Sequence, residues 1–398
     1  MSRDSHSPIL IMALLMASSL TIMAGATLAP ALPDLNEHFR HVPQAALLSK
    51  LVLTLPAFFI AGLAPFMGAI ADRFGRKPLL LASAALYGLA GASGYFIDWL
   101  PGILIGRAFF GIAMAGLMTS SMALVGDTFD GEARNRFMGL QASFVGLGGV
   151  GFLALGGFLA SMSWRTPFLI YLVAILLIPL FALALHEPER QTFDRSGANE
   201  GKAPVGTVAF IYGTMLMTMT VLYLVPVQVP FLLKSLIGAT PTQSGLAIAA
   251  GTLTSALIAP LFPRIRARLG DMNLLGTSLG IAGVGLAIVG TAQSYGQVVI
   301  GLAVQGAGLG MNMPNMSAWL MRVAPPHLRG RLAGGLTTSL FLGQFLSPLI
   351  SEPLGRKIGL HATFGWVGVS LGIMALGLLS VQLIVKRKAA LNVLPEGR

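Results

Sequence analysis

The sequence predicts an all-α membrane protein with twelve transmembrane helices in two six-helix bundles. Three observations lead to this fold class: the composition, the spacing of the apolar segments and an internal repeat. Hydrophobic residues make up 55% of the 398 residues, charged residues make up 10%, and the mean hydropathy is +0.77. A soluble chain of this length would aggregate with such a composition, so lipid is expected to surround most of it.

The apolar segments have the length that a bilayer requires, because a helix needs about 20 mainly apolar residues to cross the hydrocarbon core. Charged or Pro/Gly-rich breaks separate twelve such segments. They are residues 8–32, 46–70, 78–97, 102–124, 137–160, 166–185, 206–233, 243–262, 273–291, 297–320, 332–352 and 362–385.

The basic residues set the predicted orientation. The formal net charge is +11, but the lysines and arginines are dispersed between apolar spans, which argues against a nucleic-acid partner. Most of them fall in loops on one side, together with both chain ends. The positive-inside rule then predicts a multi-pass protein of a bacterial-type inner membrane with cytoplasmic N- and C-termini. The first apolar run resembles a signal peptide, but its length predicts a retained helix.

An internal repeat gives the domain organisation. At a shift of 195 residues, blocks that begin at Ala64, Ile105 and Arg134 match blocks further along the chain. The shift spans six helices, an even number, so the two halves share one orientation and form a parallel repeat. We predict an N-terminal bundle over residues 1–185, a cytoplasmic linker over 186–205 and a C-terminal bundle over 206–398, with a substrate site between the bundles.

The loop between the second and third spans reads GAIADRFGRKP from Gly68 to Pro78. It resembles the signature loop of the major facilitator superfamily, and the resemblance covers essentially the whole chain. In that family the loop acts as a conformational latch, with an acid at the inner end of the fourth helix as its partner. The latch residues that the resemblance implies are Gly68, Asp72, Arg73, Gly75, Arg76, Lys77, Asp127, Arg134 and Arg136. The second copy has Pro263 and Ala267 at the positions of Gly68 and Asp72, which predicts a one-sided latch.

An arginine lies inside the fourth span. Arg107, within the run from Gly106 to Gly111, resembles the arginine of the family's second motif. A buried guanidinium is costly in a membrane, so it must face a cavity or a partner. The resemblance implies a role in proton transfer or anion binding. The alternative is a structural hub that donates hydrogen bonds to carbonyls of the first helix.

The fifth span is rich in glycine. Its helix-packing positions Gly148, Gly156 and Gly157 resemble the glycine-rich motif of proton-linked exporters, although Phe152 and Leu153 replace the central Gly-Pro pair. The alternative is that these small residues serve helix packing, as in any multi-helix membrane protein.

None of the 15 acidic residues lies at the middle of a predicted span. The nearest candidate for proton coupling is Asp34, with Lys50 as a neighbouring charge; the alternative is a solvated acid at a helix end. Glu352 is a second candidate, or a simple partner of Arg356.

Polar and aromatic side chains within the spans are the candidates for a substrate cavity. They are Phe109, Phe110, Tyr223, Gln228, Gln305, Asn312, Asn315 and Gln344. Amides in a span need partners or water, and interhelical hydrogen bonds are the alternative to a cavity. The aromatic residues could equally face lipid. Pro314 is expected to let the tenth helix bend.

The resemblance to the twelve-helix drug:proton antiporter branch implies proton-coupled efflux of small amphiphilic compounds. The expected partners are a small organic substrate, protons and membrane lipid, with a monomeric chain and neither cofactor nor metal. One alternative is a symporter or facilitator for an organic anion or nutrient; another is a lipid flippase or a non-transporting membrane sensor. An enzyme is not expected, because the histidines lie outside the spans and show neither metal-binding spacing nor a nucleophile motif.

Overall fold

The computed structural model describes residues 7–187 and 203–391, and for Pro65 and residues 385–391 it describes the backbone only. Within these ranges all regular structure is helical. The helices are α1 Pro8–His38, α2 Ala45–Phe74, α3 Arg76–Phe96, α4 Leu100–Thr128, α5 Gly131–Met162, α6 Thr166–Ala184, α7 Val205–Ile237, α8 Pro241–Leu269, α9 Asp271–Gly290, α10 Tyr295–Leu309 with Asn312–Val323, α11 Arg329–Ile358 and α12 Leu360–Leu391.

Eleven of the described helices are long and apolar enough to cross a membrane, and the twelfth predicted span is the divided α10. Its two segments end at Leu309 and begin at Asn312. Pro314 has no amide hydrogen to donate to the carbonyl of Gly310, so the regular hydrogen-bond pattern cannot continue through this point. The bend that Pro314 predicts is therefore an interruption, and the twelve predicted spans correspond to α1–α12.

The boundary between α2 and α3 falls inside the signature loop. The apolar pattern predicts that the second span ends at residue 70, but α2 continues to Phe74 and α3 begins at Arg76. Gly75 alone separates the two helices, and its φ of +101° is a conformation that residues with a side chain rarely adopt. Asp72 and Arg73 therefore lie on the last turn of α2, while Arg76 and Lys77 open α3.

Glycines let several helices approach closely. A Cβ added at Gly157 of α5 would lie 2.8 Å from the carbonyl oxygen of Pro241 in α8, and one at Gly156 would overlap the backbone of Thr27 in α1. By contrast, a Cβ at Gly148 would make only ordinary van der Waals contacts, at 3.5 Å from its nearest neighbour, Phe152. Two of the three predicted packing glycines thus lie at points where only glycine fits without a shift.

The chain divides into two compact units. One comprises Met1–Ala249 with Ala324–Pro353, and the other comprises Ala250–Val323 with Leu354–Arg398. The bundle boundaries inferred from the repeat, at residues 185 and 206, follow a different criterion and stay a prediction. Most of the predicted linker, residues 188–202, lies outside the described residues.

Candidate functional site

A buried lysine and a buried glutamate meet where α2, α7 and α11 come together. Lys50 is 3% exposed and Glu352 is 6% exposed. The Lys50 ammonium forms an ion pair with Glu352 and donates a 2.7 Å hydrogen bond to Oε1 of Gln228. It also lies 4.4 Å from the ring centroid of Phe231. We name Lys50, Gln228, Ser351 and Glu352 the Lys50 cluster.

The polar groups of the Lys50 cluster satisfy one another. Gln228 is fully buried, and its Nε2 donates a 3.0 Å hydrogen bond to Oγ of Ser351. Removing a charge from water costs several kcal/mol unless a partner and further hydrogen bonds compensate it. Each charge of the cluster therefore depends on the other. The contacts join α2 of the first predicted bundle to α7 and α11 of the second.

Asp34 lies at the end of α1, and its partner differs from the predicted one. Lys50 was expected to influence Asp34, but Lys50 is paired with Glu352, and Asp34 accepts a 2.6 Å hydrogen bond from Lys234 of α7. The side chains of Asp34 and Lys234 are 36% and 43% exposed, so solvent reaches this pair. The carboxyl group that is enclosed by protein is that of Glu352.

A third acid, Asp98, lies outside the spans in the loop between α3 and α4. It accepts a hydrogen bond from the His38 ring, with 2.7 Å between Nε2 and Oδ1, and forms an ion pair with Arg165 at 2.5 Å. The hydrogen bond from His38 is the main cause that lowers the pKa of Asp98 below its usual value, and the charge of Arg165 acts in the same direction. These contacts tie three connections of the first unit together.

Arg107 is the largest fully buried side chain of the described chain, at 1% exposure. Its Nε donates a 2.8 Å hydrogen bond to the carbonyl of Val52 in α2 rather than to α1, and its guanidinium lies 4.0 Å from the ring centroid of Phe110 and 5.3 Å from that of Tyr171. Nη1 and Nη2 are buried and have no hydrogen bond of ordinary geometry with a described residue. The nearest side-chain hydroxyl partner of the guanidinium is that of Tyr171.

Two neighbouring phenylalanines of α4 have different environments. Phe110 is fully buried and packs between Tyr87 and Tyr171, with centroid distances of 4.5 and 4.7 Å. Phe109 is 51% exposed on the protein surface. Of these two cavity candidates, only Phe110 lies beside Arg107. Tyr223 of α7 places its hydroxyl against α1, 2.8 Å from the position that a Cβ on Gly25 would occupy.

The signature loop is held by two acids. Arg76 forms an ion pair with Asp127 at the end of α4, as the resemblance implies. The carboxylate of Glu187, after α6, accepts hydrogen bonds from the backbone amides of Arg76 at 2.7 Å and Lys77 at 2.8 Å. These amides belong to the first turn of α3, where free N–H groups and the helix dipole favour an anion. Lys77 Nζ also donates a 2.7 Å hydrogen bond to the carbonyl of Ala182.

Gly75 is required both by its backbone and by its neighbour. Besides its positive φ, a Cβ at this position would lie 2.9 Å from Oε1 of Glu187. Gly68 lies on α2, and a Cβ added there would meet no atom within 4 Å. The two glycines of the same motif therefore have different structural roles.

Replacing Gly75 with alanine should lower the free energy of unfolding by about 1–3 kcal/mol, because alanine is strained at this φ and displaces the Glu187 carboxylate. The matched control is Gly68→Ala, which should leave stability unchanged or raise it by up to about 1 kcal/mol, since alanine favours a helix interior. Thermal unfolding of the purified protein in detergent measures both. Equal midpoints for the two variants would contradict the role of Gly75.

The remaining latch candidates are exposed on the surface. Asp72 is exposed and forms no ion pair with the described part of the chain. Arg73 lies 5.4 Å from the ring centroid of Phe74, and Arg134 and Arg136 are exposed near the start of α5. The structure brings Arg76 and Asp127 together and does not bring Asp72 to Asp127 or Arg76.

The second unit contains an ion pair of reversed polarity. Asp271, the first residue of α9, pairs with Arg322 of α10 and, at 2.8 Å, with Arg266 of α8. Asp271 and Arg322 lie 195 positions after Arg76 and Asp127, so the acid and the base have exchanged places. The second repeat thus keeps an ion pair at these positions, and the one-sided latch stays a prediction. The repeat comparison did not reveal this ion pair, because it matched identical residues and an acid does not match a base.

The amides of α10 are buried in the second unit beside the helix interruption. Gln305, Asn312 and Asn315 are 3%, 1% and 0% exposed. Nδ2 of Asn315 donates a 2.9 Å hydrogen bond to the backbone carbonyl of Asp271, whereas both amide atoms of Asn312 have no partner among the described residues. Buried amides normally find protein or water partners, so this region is suited to water or to polar groups of a ligand.

The remaining amide candidate, Gln344 of α11, is 9% exposed and belongs to the first unit together with Gln228. The cavity candidates are therefore divided between the two units.

Sequence reasoning missed the contacts of three acids. Glu352 had a local signal, because it is the one charged residue of α11 between Arg331 and Arg356, as Lys50 is the one charged residue of α2 before Asp72. Glu187 and Asp271 had none, since their partners lie far away in sequence or carry the opposite charge to the repeat equivalent. Such pairs become visible only when the helices are placed.

Comparisons with known proteins agree with this architecture. The family model described as Major Facilitator Superfamily matches residues 14–228 and 208–397. The chain is 28% identical over 339 residues to the tetracycline resistance protein, class C, of Escherichia coli, which covers 81% of this chain and 83% of the relative. It is 24% identical over 323 residues to multidrug resistance protein 1 of Bacillus subtilis, and the match covers 78% of this chain and 80% of the relative.

Among solved structures, a D-xylose-proton symporter superposes with a TM-score of 0.75 at 17% identity, over 93% of this chain and 96% of that chain. At this identity the likeness shows the fold. The family match extends over nearly the whole sequence, and the twelve helices, the signature loop and its Arg76–Asp127 pair agree with it. The chain belongs to the Major Facilitator Superfamily and is a transporter of small molecules.

Proposed function

We propose that this transporter exports small amphiphilic organic compounds by alternating access, driven by protons that flow inward. The observation that carries the proposal is the similarity to a tetracycline resistance protein and a multidrug resistance protein along about four fifths of both chains. Substrate-binding sites of such transporters lie near the middle of the membrane, between their repeats. A site on this chain would combine apolar walls with a few buried polar groups, as ligand pockets generally do.

The buried polar groups support this function. A bundle that only filled the membrane would gain nothing from enclosing charges, because each costs several kcal/mol unless compensated. This chain encloses Arg107, Lys50 and Glu352 and also buries the amides of α10. Charged and polar groups inside a membrane protein mark ion and substrate pathways.

The orientation follows from the distribution of charge. With both termini in the cytoplasm, the pairs of Arg76 with Asp127 and of Asp271 with Arg322 lie at the inner ends of their helices. The Lys50 cluster then lies about one and a half turns inside the outer ends of α2 and α11. The transporter acts as a monomer in lipid and uses protons and the organic substrate as its only partners; it requires no cofactor and carries out no chemical conversion.

Everted membrane vesicles provide the test. Respiration acidifies their interior, and a fluorescent dye reports the interior pH while tetracycline, the lipophilic cation tetraphenylphosphonium or the anion benzoate is added. Proton-driven export should give interior alkalinisation with tetracycline or the lipophilic cation, and none in vesicles that lack the protein. Labelled tetracycline that equilibrates without any pH response would contradict proton coupling and indicate facilitated diffusion.

A further inference from the structure

Glu352 is the only buried carboxyl group among residues 7–187 and 203–391. The other described acids, among them Asp34 and Asp271, are partly or fully exposed, and Asp72 lies on the surface. A carboxyl group that carries a proton through a membrane must be able to exist in both its neutral and its charged form away from bulk water. Glu352 occupies such an environment.

The partner of Glu352 belongs to the other predicted bundle. Lys50 lies on α2, whereas Gln228 and Ser351, which complete the Lys50 cluster, lie on α7 and α11. Alternating access moves one bundle against the other, so the outer ends of α2 and α11 must part when the outward path opens. The ion pair then breaks, and water reaches both charges.

We propose that Glu352 binds the coupling proton when the outer ends of α2 and α11 part, and that Lys50 displaces this proton when the two helices meet again. This inference rests on the proposed proton-driven export. On the outer side, a hydronium ion transfers one proton to the Glu352 carboxylate and leaves water. On closure, the ammonium of Lys50 approaches, stabilises the carboxylate and disfavours its protonated form. The proton leaves toward the side that is then open, and Lys50 keeps its own protons throughout.

The surroundings of the pair include neutral groups of α7 and one further basic residue, Arg356, on the helix of Glu352. The closest groups of α7 are the Gln228 amide, at 2.7 Å from the ammonium, and the Phe231 ring. Arg356 lies one turn beyond Glu352 on the same helix, and the charges of Asp34 and Lys234 compensate each other. Arg356 moves with Glu352 because both lie on α11, whereas Lys50 lies on α2. Lys50 is therefore the basic group that changes its distance from Glu352 between the two states.

A polar row along α11 leads inward from Glu352. Gln344, Ser347 and Ser351 follow one another at spacings of three and four residues, which places them on one face of the helix. All three are at least nine-tenths buried, and Oγ of Ser347 has no hydrogen-bond partner among the described residues. Water that enters from the inner side can use this row to accept the displaced proton.

The experiment compares Glu352→Gln with Glu37→Gln, which removes an exposed acid of α1 that pairs with Arg40. Each purified full-length protein is placed in proteoliposomes, and tetracycline is the probe. Two quantities are measured: accumulation driven by a pH gradient, and exchange of labelled for unlabelled tetracycline without a gradient. Glu352→Gln should lose gradient-driven accumulation and keep exchange, whereas Glu37→Gln should keep both. Gradient-driven accumulation by Glu352→Gln at the wild-type level would overturn the inference.

A second measurement does not depend on the variant. Dicyclohexylcarbodiimide reacts with protonated carboxyl groups in apolar surroundings, and mass spectrometry of the labelled wild-type protein locates the modified residue. Labelling of Glu352 should rise as the outer solution becomes more acidic; labelling that stays absent at every pH would overturn the inference. A wild-type protein that moves tetracycline without protons would instead contradict the proposed function itself.

Discussion

Replacing Lys50 with methionine should lower the free energy of unfolding by about 3–5 kcal/mol, the usual cost of leaving one partner of a buried ion pair without its counter-charge. Glu352 is 6% exposed and would lose the ammonium with which it forms its ion pair. The double variant Lys50→Met with Glu352→Met should recover most of the loss, because apolar side chains of similar size pack well in place of a buried pair. Thermal unfolding in detergent measures all three variants.

Lowering the pH should also restore part of the stability that the Lys50→Met variant loses. An unpaired buried carboxylate is relieved when it takes up a proton, so the Lys50→Met variant should become relatively more stable as the pH falls. The wild-type protein, with its charges paired, should show no such gain. Asp34→Ala is the matched control, since its pair with Lys234 is partly exposed and should contribute no more than about 1 kcal/mol. Similar losses in Lys50→Met and Asp34→Ala would contradict the burial of the Lys50 cluster.

Replacing Arg107 with methionine should reduce transport by about tenfold or more without lowering stability. A charged hydrogen bond is worth about 1.5–3 kcal/mol, which corresponds to at least a tenfold change in an equilibrium. Nη1 and Nη2 are two buried donors that have no hydrogen bond of ordinary geometry with a described residue. A buried charge with few partners is costly to the folded protein, and methionine fills the space without that cost. Transport rates and unfolding midpoints of the same preparations are compared.

Arg165→Met is the control for Arg107. Arg165 also lies against an aromatic ring, 4.8 Å from the centroid of Trp164, but its side chain is 26% exposed. This change should alter transport little. If Arg107→Met lost transport and stability together, the alternative role of Arg107 as a structural hydrogen-bond donor would be favoured.

The fold could be predicted from the sequence because lipid imposes a simple rule on length and polarity. Each of the twelve spans corresponds to one of the described helices, and composition alone locates them. Helix ends were less predictable. α2 runs four residues beyond its predicted end, to Phe74, because Asp72 and Arg73 end the apolar pattern without ending the helix.

The candidate site could be predicted only in part. Arg107 was identifiable because a charge inside an apolar span has few explanations. The partner of Lys50 was not, since Asp34 and Glu352 both lie near helix ends and local sequence does not show which of them α2 meets. The buried amides of α10 were recognised as polar positions, but the hydrogen bond of Asn315 to the Asp271 carbonyl depends on the helix interruption.

The ion pairs Arg76–Asp127 and Asp271–Arg322 have opposite polarity, which should disfavour wrong contacts between the two repeats during assembly. In a chain with two similar repeats, a helix end of one repeat can pack against the equivalent partner helix of the other repeat. If the start of α3 docked on α10, Arg76 would meet Arg322; if the start of α9 docked on α4, Asp271 would meet Asp127. Each misassembled contact places like charges together, whereas each native contact pairs opposite charges. Reversed polarity should therefore favour the native contacts of each repeat over exchanged ones while the protein folds.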